Sequence, residues 1–426
     1  MIASFRKQLV ALASVLPLAL ALVTAYAQTP QEALQSSVER KERGPLMNER
    51  SYKRYEAATS LYSDNKYSEA LKAVQSYLSS DVNDYERALG EQLYGYILIG
   101  MDRLKEATPH FEKAVQLDSL QNSAHFGLMK SLAQLYASED QWQKSIDMMV
   151  QYLKFHKEPA PEDLIIVGQS YAQMERYRDA LPWVQLAIEK AGAKAQESWY
   201  KLAVAIHFEM KNYRAAVDTL KLVVARWPNK LEYWELLSGA HQELNQDQEA
   251  AAALLTAYHN GLIDTEGKLL NVARMSMYVE TPYHGGRIIE RGIADKKIEA
   301  NQKNLETLLQ MWSAAREYDK AGAVIDRLGP MTGNGELFIQ KATMRMELND
   351  WRGTIDAAQQ ALEVGNVKNP GNAWLMTGIA YLELGELKEA KDALKQAQQA
   401  GDEKVRRQAR EWEQFVDDRI SVMASR

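Results

Sequence analysis

The sequence predicts an all-α solenoid of about ten helix-turn-helix repeats, followed by one capping helix at the C-terminal end. Three observations predict it. A pattern of small and large apolar residues, clearest over Asn372 to Gly401, recurs up the chain. Its recurrences are almost evenly spaced, and helix-breaking residues fall where successive units should join. At 426 residues the chain also exceeds the size at which one compact core keeps growing, so an array is the economical arrangement.

The first 27 residues stand apart. Arg6 and Lys7 precede an uncharged apolar run from Leu9 to Val23, followed by Ala25-Tyr26-Ala27. Basic, apolar, then small-x-small is the order of a secretory signal peptide, so residues 1–27 read as one, cleaved after Ala27, with the periplasm as destination. The competing reading is an uncleaved anchor, but the run falls short of the roughly 20 residues a bilayer needs and contains Pro17. No second apolar run of spanning length follows, so no membrane span is expected after cleavage.

The leader holds two basic residues and no acids, and its removal moves the net charge from -6 to -8. That balance argues against nucleic acid or anionic lipid as partner. Cysteine is absent, which removes disulfides, thiolate catalysis and Cys-based zinc sites, and fits a bacterial exported protein.

Residues 28–47 are polar and charged with few apolar anchors, and read as a tether. The solenoid then occupies 48–400. The small residue of each second helix serves as a ruler, giving Ala70, Ala107, Ser145, Ala180, Ala216, Ala250, Gly286, Ala321, Thr354 and Ala390. Successive gaps are 37, 38, 35, 36, 34, 36, 35, 33 and 36. Some units are degraded. The loop SEDQW after Tyr136 and Ala137 reads as long, Trp199 to Ala216 as holding one extra residue, and Arg274 stands where a small residue is usual. Pro282 with Gly285 and Gly286 either ends one helix and starts another or marks a bend.

Breakers at Pro159 to Pro161, Trp227-Pro228-Asn229, Gly329-Pro330 and Asn369-Pro370-Gly371 agree with the ruler independently. Residues 401–426 keep Val405, Trp412, Phe415 and Val416 on one side and charge on the other, as a solubilising capping helix should.

Nothing in the chain marks a reaction. The seven histidines, at 110, 125, 156, 207, 241, 259 and 284, make no HExxH or other close metal pair. His207 and His241, one repeat apart, read as packing or groove-lining residues. Leu328 to Leu337, LGPMTGNGEL, lacks the Gly-Lys-Ser/Thr ending of a phosphate loop and reads as a turn between repeats. There is no GxSxG elbow and no marked carboxylate pair. The chain therefore reads as a non-enzyme without cofactor or metal. A cell-wall or carbohydrate hydrolase hidden in the irregular 262–330 region is the remote alternative.

In the clearest unit Trp374, Gly378 and Tyr381 share one face of a first helix, and Ala390, Leu394 and Ala397 one face of a second. This spacing resembles the tetratricopeptide repeat (TPR), with Thr377 where that family usually has Leu. The resemblance implies a right-handed superhelix whose first helices line a concave groove holding a protein or peptide. It also implies that positions one after and three before the small first-helix residue point into that groove. Carried over, these are Tyr55 with Thr59, Gln92 with Tyr96, and Lys130 with Gln134. Further along they are Ile165 with Gln169, Asn271 with Met275, and Glu306 with Gln310. Tyr and amide side chains suit an extended peptide, although surface solubility explains the same residues. Gln134 replaces the Asn of the family's C-terminal-carboxylate clamp, which leaves that ligand unsupported.

The segment from Arg40 to Val74, followed by Asn83-Asp84-Tyr85-Glu86-Arg87-Ala88, is similar to exported TPR proteins encoded with TonB/ExbB/ExbD energy-transduction systems. That resemblance covers roughly residues 40 to 100. It implies a periplasmic accessory of TonB-dependent energy transduction to outer-membrane transporters. The open alternative is an assembly factor for other envelope machinery, such as pili, outer-membrane proteins or cell division.

Overall fold

The computed structural model describes residues 29–35, 39–41, 47–156 and 158–424. The leader expected over 1–27 lies outside them. Among the described residues all regular structure is helical, with 22 α-helices and a short 3-10 turn at Gly192–Lys194. None of these helices is long and apolar enough to cross a membrane. The chain divides into two units, residues 1–211 and 212–426.

In the first unit α1 (Pro30–Gln35) precedes the repeats. Repeat one pairs α2 (Glu49–Ser63) with α3 (Tyr67–Leu78), and repeat two pairs α4 (Asp84–Gly100) with α5 (Leu104–Gln116). Repeat three pairs α6 (Asn122–Ser138) with α7 (Trp142–Leu153), and repeat four pairs α8 (Pro161–Gln173) with α9 (Tyr177–Ala191). α10 (Glu197–Glu209), the first helix of repeat five, ends the unit.

The second unit opens with α11 (Tyr213–Arg226), then α12 (Leu231–Glu243) with α13 (Asp247–His259), and α14 (Glu266–Tyr278) with α15 (Pro282–Ala294). It continues with α16 (Gln302–Ala314) and α17 (Tyr318–Thr332), α18 (Glu336–Glu347) and α19 (Trp351–Val364), and α20 (Pro370–Glu383) and α21 (Leu387–Ala400). The cap is α22 (Glu403–Ala424).

From α2 onward, within each unit a helix packs on its neighbours in sequence, and first helices of adjacent repeats also touch, as in α2 on α4, α6 on α8 and α18 on α20. This is a solenoid: each pair leaves an apolar face that only the next pair covers. The interior is accordingly a row of clusters, one around Phe111 and Leu128 in the first unit, others around Trp312 and around Leu394 in the second.

The ruler residues explain the regularity. Ala70, Ala107, Ser145, Ala180, Ala216, Ala250, Ala321, Thr354 and Ala390 each hold the fourth place of their helix and are wholly buried. Gly286 does not follow. It is the fifth residue of α15, and Gly285 holds the fourth place. A Cβ on Gly285 would sit 2.8 Å from the carbonyl oxygen of Ala273, so the two helices meet backbone to backbone there. Ala273 is buried and Arg274 exposed. The small first-helix residue is therefore Ala273, and the paired glycines allow a register one residue too far along. Pro282 is the first residue of α15, so Gly285 and Gly286 lie inside one helix.

Every turn within a repeat has the same form. Asn65, Asp102, Asp140, Glu175, Lys211, Asn245, Glu280, Arg316, Asn349 and Gly385 all adopt φ between 55° and 80°. Each is the middle of three residues between helices, so neither SEDQW nor the stretch before Ala216 holds an enlarged loop. In the turns other than the one at Lys211, the next residue donates its N–H to a carbonyl five back, as from Lys66 to Leu61 at 2.9 Å and Gln141 to Tyr136 at 2.8 Å. This bond helps offset the cost of a left-handed non-glycine residue, about 1 kcal/mol. Gly329-Pro330 does not end a helix, because α17 runs to Thr332 and stops at Gly333, φ 59°. Proline's fixed φ fits the helical path, and the left-handed glycine makes the break.

The stretch 28–47 also differs from a plain tether. Thr29 and Glu32 cap α1 reciprocally, with bonds of 3.0 and 3.3 Å. Pro30 and Ala33 are buried, and α1 packs on α7 and α9, both second helices. A single small apolar face in a polar segment was enough to anchor it.

Candidate functional site

The expected inner-face residues fall into three groups. Tyr55 and Tyr96 are half-buried and belong to one aromatic patch. The ring centres of Tyr55 and Tyr77 lie 5.7 Å apart, and those of Tyr96 and Phe111, packed edge to face, 5.0 Å apart. Burial, with Tyr85 and Tyr96 adding, pushes the Tyr55 hydroxyl up to about 12. Tyr85, in the second place of α4 and half-buried, completes the patch. The sequence signal for it was present, since it is the Tyr of the Asn83 to Ala88 motif. Gln92 is half-buried nearby in the chain, while Thr59 spends its hydroxyl on the Tyr55 carbonyl at 2.9 Å.

Lys130 is not a free cation. Its ammonium pairs with the carboxylate of Asp163, a residue 1% exposed in the first turn of α8. Burial and the same carboxylate push the Tyr152 hydroxyl up to about 12. Gln134, Gln169, Asn271, Glu306 and Gln310 are exposed, and Glu306 accepts a bond from Gln302 at 2.8 Å.

Ile165 and Met275 are interior, at 5% and 9% exposure. Met275 packs with Ala250 and Ala251, and the Gln242 amide reaches its sulfur at 3.8 Å. The register slip at Ala273 accounts for it: one residue turns a helical side chain by about 100°. Exposed Arg274 stands in the place one after the small residue.

A second surface was not anticipated. Along α6, His125, Leu132 and Tyr136 form a stripe roughly opposite Lys130 and Gln134. With Glu112, Val115 and Gln116 of α5 and Met148, Gln151 and Phe155 from α7 and the turn after it, they line a cavity of about 1020 Å³. Arg40 and Lys41 border it. The Tyr136 hydroxyl donates to Glu112 at 2.5 Å, and Lys144 lies 3.7 Å from Glu112 and 5.2 Å from the Tyr136 ring centre. Burial and then the Glu112 bond push the Tyr136 hydroxyl up.

At the mouth, Arg40 Nε donates to Asp118 at 2.7 Å and Nη1 to the Asn122 side-chain carbonyl at 2.6 Å. His125 is 5% exposed with Nε2 3.7 Å from Asp118. Burial and then the Arg40 charge hold its pKa below the ordinary 6.5, against the pull of Asp118. No sequence signal finds this cluster, because its halves lie 78 residues apart.

Among the described residues no group of three His, Asp or Glu side chains is placed to hold a metal ion. His207 is buried, which lowers its pKa, and His241 Nδ1 lies 2.8 Å from the Gln246 amide oxygen. Both are packing residues.

Residues 339–404 and 92–119 match tetratricopeptide-repeat family models. No curated protein matches the chain. Among solved structures, a tetratricopeptide repeat protein from Parabacteroides merdae is 14% identical, covers 62% of this chain and 99% of its own, with a TM-score of 0.36. The C-terminal part of a TPR repeat-containing protein from Cytophaga hutchinsonii is 10% identical over 65% of this chain and 95% of its own, TM-score 0.37. MamA from Desulfovibrio magneticus, residues 41 to the end, is 12% identical over 42% and 96%, TM-score 0.35. Two stretches that match the repeat models, set in a run of helix pairs sharing one register and one turn, make the fold that of a tetratricopeptide-repeat protein.

Proposed function

We propose that this protein is a non-enzymatic periplasmic scaffold, an accessory of TonB-dependent energy transduction that holds a protein or peptide on its first helices. The observation that carries the binding surface is the patch of Tyr55, Tyr85 and Tyr96, each half-buried, on adjoining helices α2 and α4. Tyrosines held by packing offer ring area and hydroxyls at little further entropic cost, which suits an extended polypeptide. Support for the periplasm is the order of residues 1–27, and support for the TonB link is the motif-bearing stretch from 40 to 100.

The test is affinity capture of the full-length protein from cross-linked bacterial envelopes, beside a variant carrying Tyr55→Phe, Tyr85→Phe and Tyr96→Phe. Phenylalanine keeps the packing on Tyr77 and Phe111 and removes the hydroxyls. The expected result is TonB, ExbB or ExbD with the wild type, reduced about fivefold in the variant at unchanged melting temperature, a loss of about 1 kcal/mol. Recovery of pilus, outer-membrane-assembly or division proteins instead supports the assembly-factor reading. Equal recovery by both proteins removes the tyrosine patch from the account.

A further inference from the structure

The Arg40 contact goes beyond that reading, because it lies on the opposite side of α6 from the expected inner face. Its geometry is that of a receptor. The guanidinium side chain is 6% exposed, donates through Nε and Nη1 to Asp118 and Asn122, and faces the buried imidazole of His125. Arg40 Nη2 and His125 Nδ1 are both buried without a hydrogen-bond partner. The planar fork is thus seated with its Nη2 amino group unspent, beside an imidazole whose Nδ1 is unspent as well.

The surroundings favour a cation. Apart from the strap residues Arg40 and Lys41, the charged groups lining the adjoining cavity are Glu112 and Asp118, with His125 beside them, and Gln116 and Gln151 add amides. Met148, Phe155, Val115 and Leu132 supply apolar wall. What occupies the mouth is itself informative: a short stretch of polypeptide bearing an arginine, held further back by Ala33 on α7 and α9.

We propose that Asp118, Asn122 and His125 form a docking site for an arginine side chain, filled in cis by Arg40, and that an arginine-bearing segment of another polypeptide competes for it. The adjoining cavity takes the residues next to that arginine. Arg40 acts as a built-in competitor, so binding in trans requires its side chain to leave.

The probe is a fluorescein-labelled peptide with the sequence of residues 29–41, read by anisotropy against the full chain. Arg40→Ala empties the site and should bind the probe at least tenfold more tightly than the wild type. Adding Asp118→Asn should return binding to the wild-type level, and Asn keeps the left-handed φ of 46° accessible at that turn. A probe with Gln at the position of Arg40 should bind at least tenfold more weakly to the Arg40→Ala protein. Hydrogen exchange gives a second reading without the probe: amides of residues 31–35 should exchange at least tenfold faster in Arg40→Ala while those of 128–136 stay unchanged. Equal probe binding by wild type and Arg40→Ala, binding indifferent to Asp118→Asn, or unchanged exchange at 31–35 each overturns the proposal. None of these outcomes bears on the tyrosine patch.

Discussion

Repeat ten and repeat three are built on the same frame and dressed differently. In repeat ten a Cβ on Gly378 would lie 2.7 Å from Leu394 and 3.3 Å from the Ala390 carbonyl, and α22 closes over α21 with Val405, Ala409 and Val416 buried. In repeat three Ala133 and Ser145 hold the corresponding places, both wholly buried, and the turn through Asp140 has the same left-handed middle residue as the one through Gly385. Yet the outer side of repeat three carries Tyr136 on Glu112, Lys144 beside both, and the Arg40 clasp on Asp118. The frame needs small residues and a left-handed turn; it is indifferent to what covers the second helices. Function is written in the positions the frame leaves free.

The largest expected effect tests the shared frame. Gly378→Val places branched carbons where Leu394 and a backbone carbonyl already stand, and should cost about 3 kcal/mol in urea unfolding. A loss below about 0.5 kcal/mol would mean that close helix approach does not hold the repeat together. Next comes the exterior: Tyr136→Phe removes a bond to a carboxylate and should cost about 1.5 kcal/mol while leaving helix content by circular dichroism unchanged. No change in unfolding midpoint would reduce the Tyr136–Glu112 contact to decoration.

Turn chemistry is a smaller lever. Arg316→Gly relieves a left-handed residue and should stabilise by about 0.5 kcal/mol, whereas Gly385→Ala should cost about 1 kcal/mol. Were both changes to move the melting temperature in one direction, the turns would not be equivalent.

The smallest effect is a pH dependence. His125 faces Arg40, Lys41, Glu112, Asp118 and Tyr136, and its folded pKa is held below 6.5 by burial first and Arg40 second. The unfolded chain therefore binds the proton more readily, so the stability tied to neutral His125 is complete above pH 6.5 and is lost as pH falls through the folded value. His125→Gln should flatten the fall in unfolding midpoint on acidification relative to wild type, with His207 supplying the remainder. An identical slope in the variant would place the titration elsewhere.

The positions of nine ruler residues could be read in the chain because period and size are local properties. Gly285 could not be separated from Gly286, since two adjacent glycines satisfy a small-residue rule equally and only the carbonyl of Ala273 chooses between them. Glu175 and Arg316 gave no sign of left-handed turns, because nothing in their side chains favours that conformation and the compensating bond runs from another residue. Of the inner-face residues, Tyr55 and Tyr96 are half-buried on adjoining helices, whereas Lys130 is claimed by Asp163 across 33 residues of chain.

By itself, then, the amino-acid order determined the helical class, the repeat frame and the absence of thiol chemistry, all of which follow from composition and short-range spacing. Only the tertiary structure decided that residues 30–35 are helical and seated on repeats three and four, and that Arg40 finds Asp118 and Asn122. The physical reason is range. A helix and its turn are specified by neighbours within a few residues, while an ion pair on an outer surface depends on where stacking carries two distant segments.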